Sequence, residues 1–145
     1  MSIEVYAKSG YRSNYCGGTI YSETVIITAA HCCYLMIDAT FFQYEVIAGD
    51  LIRSDNSGLE QRSKIKDILI HPDYYHGKEY DICLLYLETE LDFSGNDVKY
   101  IEAAIDDPEP GTMCDISGWG EVSIGMKKSH YLFSNFTFLI TLEWI

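Results

Sequence analysis

The sequence predicts an all-β chain whose strands form an antiparallel barrel. Six short segments before residue 90 have strand character, and turn residues separate them at a spacing typical of small barrels. No stretch shows the apolar periodicity of a convincing amphipathic helix. With 145 residues, of which 48% are hydrophobic, the chain has enough apolar material for one core and too much for a disordered protein.

The strand candidates differ in how clearly their pattern shows. Residues 3–8 alternate apolar and polar side chains, as a half-buried strand does. Residues 64–70 alternate imperfectly, and residues 82–87 are almost continuously apolar, which is typical of a strand buried on both faces. Residues 10–14 have turn chemistry, and residues 31–44 fit neither pattern. The remaining strand candidates are residues 17–21, 25–30 and 45–49.

The charge balance and the hydropathy exclude two classes of partner. The chain contains ten lysines and arginines but 22 aspartates and glutamates. The resulting net charge of −12 argues against binding to the negatively charged phosphate backbone of a nucleic acid. No apolar run approaches the roughly 18 residues that a membrane-spanning helix needs. We therefore expect no nucleic-acid partner and no membrane. The first residues lack a charged segment followed by an apolar one, so no signal peptide is visible.

Several short motifs follow one another along the chain. They are Cys16-Gly17-Gly18, Thr28-Ala29-Ala30-His31-Cys32, His71-Pro72-Asp73-Tyr74, Tyr80-Asp81-Ile82-Cys83-Leu84-Leu85 and Gly118-Trp119-Gly120. In this order and spacing, over about residues 3–120, they resemble the trypsin/chymotrypsin-like serine proteases. The resemblance implies a Greek-key β-barrel, the first of two, with the second barrel truncated. Only the N-terminal half of the family's fold would then be present.

The resemblance also implies how the chain is organised. Residues 1–90 would form the six-stranded barrel, and residues 91–110 a connector. Residues 111–120 would be the first strand of the second barrel, without a partner strand. Residues 121–145 form a tail that does not resemble the family, and we interpret this tail as sequence that did not evolve as part of a protease.

The resemblance assigns catalytic roles to His31 and Asp81. A serine hydroxyl is a weak nucleophile at neutral pH, so a neutral imidazole must accept its proton. An ionised aspartate that accepts from the other ring nitrogen selects the required tautomer. His31 would therefore be the general base and Asp81 the group that orients it. Without the flanking motifs, an ordinary packed histidine would be the simpler interpretation of His31.

The family's third catalytic motif, Gly-Asp-Ser-Gly-Gly, does not occur in the sequence. Its serine is the nucleophile, and its backbone amides help to form the oxyanion hole. We therefore expect a secreted, serine-type endopeptidase that is present as a truncated chain and is inactive alone. Protein or peptide substrates, and protease inhibitors, would be partners of the complete enzyme. The alternatives are a non-catalytic homologue that acts as a binding or regulatory module, and a truncated product without function.

Five cysteines, an odd number, indicate either one free thiol or a partner outside the chain. The spacings do not match the paired Cys-x-x-Cys layout of a zinc site. The family resemblance implies a disulfide between Cys16 and Cys32. It places the partner of Cys114 in the absent half, which leaves Cys114 unpaired in this chain.

Two further cysteines, Cys33 and Cys83, depart from the common family pattern. Cys33 directly follows the histidine motif, and Cys83 lies two residues after Asp81. Because His31 and Asp81 must touch in this fold, these cysteines could be close, and we hypothesise a disulfide between them. The alternative is a pair of buried free thiols.

One loop resembles the calcium loop of trypsins. Asp50 and Glu60 occupy the matching carboxylate positions, and the loop has the same length. Calcium binds roughly six to eight oxygen atoms, so these residues would supply part of the set. The alternative is a solvated acidic loop, and no other cofactor is expected. We interpret His71 and His76 as solvated histidines and not as a metal pair.

Overall fold

The computed structural model of the chain describes residues 1–37, 40–52, 57–75, 79–106, 108–109, 112–119 and 133–139, with the backbone alone for residues 114–116 and 133–139. Within these ranges the regular structure consists of strands and one short helix. The strands are β1 (Ser2–Ala7), β2 (Arg12–Gly17), β3 (Thr19–Ile20), β4 (Val25–Thr28), β5 (Phe42–Ala48), β6 (Gln61–Ile70), β7 (Cys83–Leu87), β8 (Met113–Gly118) and β9 (Phe133–Leu139), and the helix is α1 (Ala30–Ile37).

The chain divides into two compact units, each with its own sheet. The first unit contains Met1–Asp50 and Ser57–Glu102, and the second contains Leu51–Asn56 and Ala103–Ile145. Strands β1 to β7 and helix α1 belong to the first unit, and β8 and β9 belong to the second. The predicted limits of the connector, residues 91–110, stay a prediction.

The first unit is a nearly closed antiparallel barrel, which confirms the predicted fold class. Its strand order is β2-β1-β5-β6-β7-β4-β3. Gly18 alone separates the two edge strands β2 and β3, so the chain itself links the two edges, and the barrel has six strands if β2 and β3 count as one bent strand. A Cβ atom at Gly18 would lie 2.9 Å from the backbone oxygen of Ile27. Only glycine leaves room for this bend.

Apolar side chains from neighbouring strands pair inside the barrel. Ile3 of β1 lies opposite Val46 of β5, and Ile26 of β4 lies opposite Leu85 of β7. All four side chains are fully buried. Burial of such a side chain contributes about 1.5–3 kcal/mol. The core therefore connects the strand before the predicted histidine, β4, with the strand after the predicted aspartate, β7.

A bulge in β6 explains why residues 64–70 alternate imperfectly. Ile65 pairs with Leu87 and Asp67 pairs with Tyr86, so β6 contains one extra residue opposite consecutive residues of β7. The more buried side chains of β6 consequently lie at odd positions before the bulge and at even positions after it. A pattern that is read with a single period cannot show such a change.

Two strands differ from their predicted form. The sequence predicts a turn over residues 10–14, but β2 already begins at Arg12, which pairs with Tyr6 of β1. The expectation that residues 82–87 are buried on both faces was also wrong. In β7 fully buried residues alternate with partly exposed ones such as Leu84, because one face of a barrel strand lies on the outside.

One residue, Ala29, separates β4 from helix α1, which was not predicted. Its first turn forms when the amides of Cys32 and Cys33 donate to the carbonyl of Ala29, at 3.2 and 3.4 Å. Apart from His31, the residues of α1 are apolar on all sides, so residues 31–37 show no amphipathic stripe. In the described part of the chain, no helix has the length and apolar character that crossing a membrane requires. The exposed apolar residues of α1 are Tyr34, Leu35 and Ile37.

The second unit contains a two-stranded antiparallel sheet made of β8 and β9. Ile116 of β8 lies opposite Phe136 of β9. The expectation that residues 111–120 form a strand without a partner was therefore wrong. The partner comes from the tail, where phenylalanine and threonine favour strand structure over residues 133–139. The remainder of the predicted tail, residues 121–132 and 140–145, lies outside the described residues.

Two disulfides fasten α1 to the barrel at adjacent positions. Cys16 of β2 is bonded to Cys32, and Cys33 is bonded to Cys83 at the start of β7. Cys33 and Cys83 are almost completely buried, with exposures of 0% and 1%. The helix is thereby linked to two different strands. The sequence predicts that Cys114 is unpaired. Its side chain is not among those that the structure describes, so the unpaired state stays a prediction.

We expect replacement of both Cys33 and Cys83 by alanine to lower the free energy of unfolding by about 4 kcal/mol, because the bond closes a long loop of the unfolded chain. The two cysteines are 50 residues apart, whereas Cys16 and Cys32 are 16 residues apart. The matched control replaces Cys16 and Cys32 by alanine. It should lower the free energy of unfolding by a smaller amount, about 3 kcal/mol. Urea unfolding of the oxidised chains measures both values, and a smaller loss for the longer loop would contradict this expectation.

Candidate active site

His31 and Asp81 meet although 50 residues separate them along the chain. His31 is the second residue of α1, and Asp81 lies shortly before β7. The backbone N–H of His31 donates to Oδ1 of Asp81 at 2.8 Å, and the imidazole Nδ1 lies 2.8 Å from Oδ2. The carboxylate therefore contacts both the backbone and the ring of one residue. This two-point contact restricts the position of the ring and its rotation together.

The backbone contact follows from the way in which a helix begins. The first N–H groups of an α-helix have no partner within the helix, and the helix dipole favours a negative charge at this end. Hydrogen bonds from the ring of His31, and next from its backbone, lower the pKa of Asp81. Asp81 is therefore ionised at neutral pH and serves as a cap for α1.

The ring contact determines which nitrogen of His31 can accept a proton. When Nδ1 carries the hydrogen, it donates to the ionised carboxylate, and Nε2 presents its lone pair. The side chain of His31 is 60% exposed and that of Asp81 is 32% exposed. Nε2 can consequently act as a base toward a group that approaches from solvent. In the described part of the chain, no serine hydroxyl forms a hydrogen bond with His31.

A tight turn presents Asp81 to α1. The preceding residue, Tyr80, has a φ of 55°, which for a bulky side chain costs about 1–2 kcal/mol. The amide of Ile82 donates to the carbonyl of Tyr80 at 2.7 Å and closes the turn around Asp81. The imidazole of His71 stacks on the ring of Tyr80, with centroids 4.7 Å apart and an angle of 11°.

Sequence reasoning named His31 and Asp81, but it missed Tyr80 and misjudged His71. His71 is in contact with an aromatic ring and is not simply a solvated histidine, while His76 lies outside the described residues. A left-handed tyrosine has no local sequence signal, because glycine, asparagine and aspartate are the residues that usually indicate positive φ.

The disulfide between Cys33 and Cys83 lies close to both site residues along the chain. Each cysteine follows its site residue by two positions, Cys33 after His31 and Cys83 after Asp81. The covalent bond therefore restrains the two segments immediately beside the hydrogen-bonded pair. The sequence hypothesis placed a bond between the same cysteines, and the structure contains it.

One group of three potential metal ligands occurs among the described side chains. Cys16, His31 and Cys32 offer atoms that all lie within 4.8 Å of one another. The two sulfur atoms are bonded to each other in a disulfide and do not offer the thiolates that a metal requires. The cluster is therefore a part of the disulfide next to His31 and not a metal centre.

The predicted calcium ligands Asp50 and Glu60 lie at the two ends of a loop whose residues 53–56 are outside the described part. The carboxylate of Glu60 accepts from the amides of Ser57 and Gly58, at 2.8 and 2.9 Å. Backbone N–H groups, its own first, lower the pKa of Glu60, which is therefore ionised at neutral pH. Asp50 is largely buried. The carboxylate of Glu60 closes a turn of its own loop, and a calcium ion at this loop stays a prediction.

Comparison with known proteins reveals one consistent family. The Trypsin family model matches residues 1–135, a range that includes residues 121–135 of the tail that we expected not to resemble the family. Trypsin zeta of Drosophila melanogaster is 37% identical over 119 residues, which are 81% of this chain and 41% of that protein. Chymotrypsin-like elastase family member 1 of Homo sapiens is 32% identical over 126 residues, which are 80% of this chain and 45% of that protein.

The same likeness is found among solved structures. Neuropsin, a serine protease expressed in the limbic system of mouse brain, superimposes with a TM-score of 0.72 at 26% identity, over 90% of this chain and 55% of that chain. The chain therefore belongs to the trypsin family of serine proteases. It spans less than half the length of the two curated relatives named above.

We expect Asp81→Asn to lower the melting temperature at neutral pH and to have a smaller effect in acid. The folded pKa of Asp81 lies below its ordinary value. The stabilisation is therefore complete above an unfolded pKa of about 3.9 and is lost as the pH falls through the lower folded pKa. Melting curves of both chains between neutral pH and about pH 2 measure this difference.

The control for this measurement is Asp97→Asn, which changes another exposed aspartate of the first unit. A surface substitution away from such contacts should change stability little at any pH. If the difference in melting temperature between the parent and Asp81→Asn stays constant down to about pH 2, the contact of an ionised Asp81 with His31 is contradicted.

We expect the chain to bind calcium with a dissociation constant on the order of millimolar or tighter, as extracellular calcium sites do. Isothermal titration measures the binding, and Glu60→Gln should weaken it because one charged ligand is lost. Glu102→Gln provides a control for the change of net charge, since Glu102 is exposed and distant from the loop in sequence. The absence of heat at millimolar calcium would exclude the predicted site.

Proposed function

We propose that this chain supplies the general base and the orienting aspartate of a serine endopeptidase. The two-point contact between His31 and Asp81 is the observation that supports the proposal most directly. Nε2 of His31 takes the proton of a serine hydroxyl as the oxygen attacks the peptide carbonyl, and returns that proton to the leaving amine. The ionised Asp81 stabilises the imidazolium that forms between these two steps.

The nucleophile of this reaction is not among the residues of the sequence. No serine lies in a Gly-Asp-Ser-Gly-Gly segment, and no described serine is hydrogen-bonded to His31. Stabilisation of the tetrahedral intermediate also requires backbone donors at an oxyanion hole, which that segment supplies in the family. The 145-residue chain is therefore inactive by itself, and catalysis requires a second barrel that provides the serine and its oxyanion hole.

Protein or peptide substrates follow from this reaction type, and protease inhibitors are further partners of the complete enzyme. Secretion is supported by the two disulfides, because such bonds persist in oxidising compartments. The acidic net charge of −12 argues against nucleic acid as a partner.

The alternative is a non-catalytic homologue that binds substrates or inhibitors of active relatives. The missing serine segment favours this alternative, whereas the geometry of His31 and Asp81 favours catalysis. A binding module has no chemical need for an imidazole whose Nδ1 is held by an ionised carboxylate. We therefore prefer the enzyme, and the following experiment tests whether His31 and Asp81 can activate a serine.

The 145-residue chain should not react with a fluorophosphonate, because this reagent modifies only a serine that a neighbouring base has activated. Intact-mass spectrometry after incubation measures the modification. The matched positive control is a chimaera in which the second barrel of Trypsin zeta follows Trp119. This chimaera should react, and His31→Ala should abolish its reaction.

Two outcomes would change the assignment. Modification of the 145-residue chain at any serine would contradict the absence of a nucleophile. A chimaera that is folded, as circular dichroism would show, but does not react would favour the non-catalytic homologue.

A further inference from the structure

Tyr80 is, among the described residues, the one non-glycine residue with a positive φ. It directly precedes Asp81, so its backbone conformation decides in which direction the chain presents the carboxylate. The left-handed region is unfavourable for a large side chain, because Cβ approaches the following carbonyl oxygen. Contacts outside the turn must therefore stabilise this conformation of Tyr80.

His71 provides such contacts on both sides of Asp81. Its ring lies parallel to the ring of Tyr80, with 4.7 Å between the centroids. Its backbone N–H donates to the carbonyl of Ile82 at 3.1 Å, and the amide of Ile82 donates in turn to Tyr80. One residue thus contacts the neighbour before Asp81 through its ring and the neighbour after Asp81 through its backbone.

His71 is itself fixed where β6 ends. The backbone amide of Asp73 donates to Nδ1 of His71 at 3.2 Å, and the amide of Tyr74 donates to the carbonyl of His71 at 3.0 Å. The ring is therefore oriented by the turn that follows β6. Pro72 stiffens this turn because its φ is restricted. The contact of His71 with Tyr80 connects a rigid part of the barrel with the turn around Asp81.

We propose that Tyr80 and His71 are positioning residues for the pair formed by His31 and Asp81. Their stacked rings hold the backbone of Tyr80 in the left-handed conformation, and this conformation directs the carboxylate of Asp81 toward the first turn of α1. Without the stack, Tyr80 returns to a right-handed or extended backbone, and the carboxylate turns away from His31. The inference rests on the proposed function, since it assigns a role in orienting the catalytic base.

The test uses NMR spectroscopy of the 145-residue chain at neutral pH. It follows the Nδ1 proton of His31, whose exchange with water is slow as long as the hydrogen bond to Asp81 is formed. Tyr80→Ala and His71→Ala should each accelerate this exchange roughly three- to tenfold, as expected from the strength of an aromatic stack. The pKa of Asp81, followed through its carboxyl carbon, should rise toward its ordinary value in both variants.

Two control variants separate positioning from general destabilisation. His71→Phe keeps an aromatic ring against Tyr80 but removes the Nδ1 acceptor that helps to orient the ring, so it should accelerate the exchange less than His71→Ala does. Tyr100→Ala removes an equally exposed tyrosine, 54% against 53% for Tyr80, from its contact with Phe93. It should lower the melting temperature without changing the exchange of the His31 proton.

The outcomes also separate this inference from the proposed function. Asp81→Asn should abolish the slowly exchanging signal, and its failure to do so would overturn the proposed pair itself. If Asp81→Asn abolishes the signal while Tyr80→Ala and His71→Ala leave it unchanged, only the positioning role is wrong. Equal acceleration in Tyr100→Ala, or in His71→Phe, would also overturn the positioning role.

Discussion

The contact of one carboxylate with two donors of one residue is the constraint on which the site depends. Asp81 accepts from the backbone of His31 and from its ring, so a shift of either segment would break two hydrogen bonds at once. A helix that begins at this point supplies the backbone donor, which has no other partner in the first turn. The start of α1 is therefore a part of the site as well as of the fold.

Covalent bonds and strand pairing keep this contact in place. The Cys33–Cys83 bond joins the same two segments, and the pairing of β4 with β7 brings Thr28 opposite Cys83. The side chains of the pair itself are 60% and 32% exposed, so packing alone cannot hold the aspartate there. A hydrogen-bonded pair in solvent is weak by itself. The disulfide and the sheet reduce the conformational freedom that the pair would otherwise have to overcome.

Prediction from sequence reached those features whose signal is short and contiguous. The motifs around His31 and Asp81 are of this kind, and so is the alternation that places Ile3 in the core. Features with a non-local cause were missed. The bulge in β6 depends on its pairing with β7, β8 finds its partner in the tail, and the ring that stacks on the left-handed Tyr80 belongs to His71, nine residues earlier in the chain. Propensities that are read residue by residue contain none of these pairings.

The bend at Gly18 has a consequence for the behaviour of the protein in a crowded solution. Because β2 and β3 are consecutive, the two edges of the barrel sheet are parts of one stretch of chain. A foreign strand that approaches from either side meets a short, curved rim and not a long, flat row of free amides and carbonyls. Edge-to-edge polymerisation of the cross-β type needs such a row. A single glycine thereby limits the open edges of the barrel sheet alone, since β8 and β9 form a separate two-stranded sheet in the second unit.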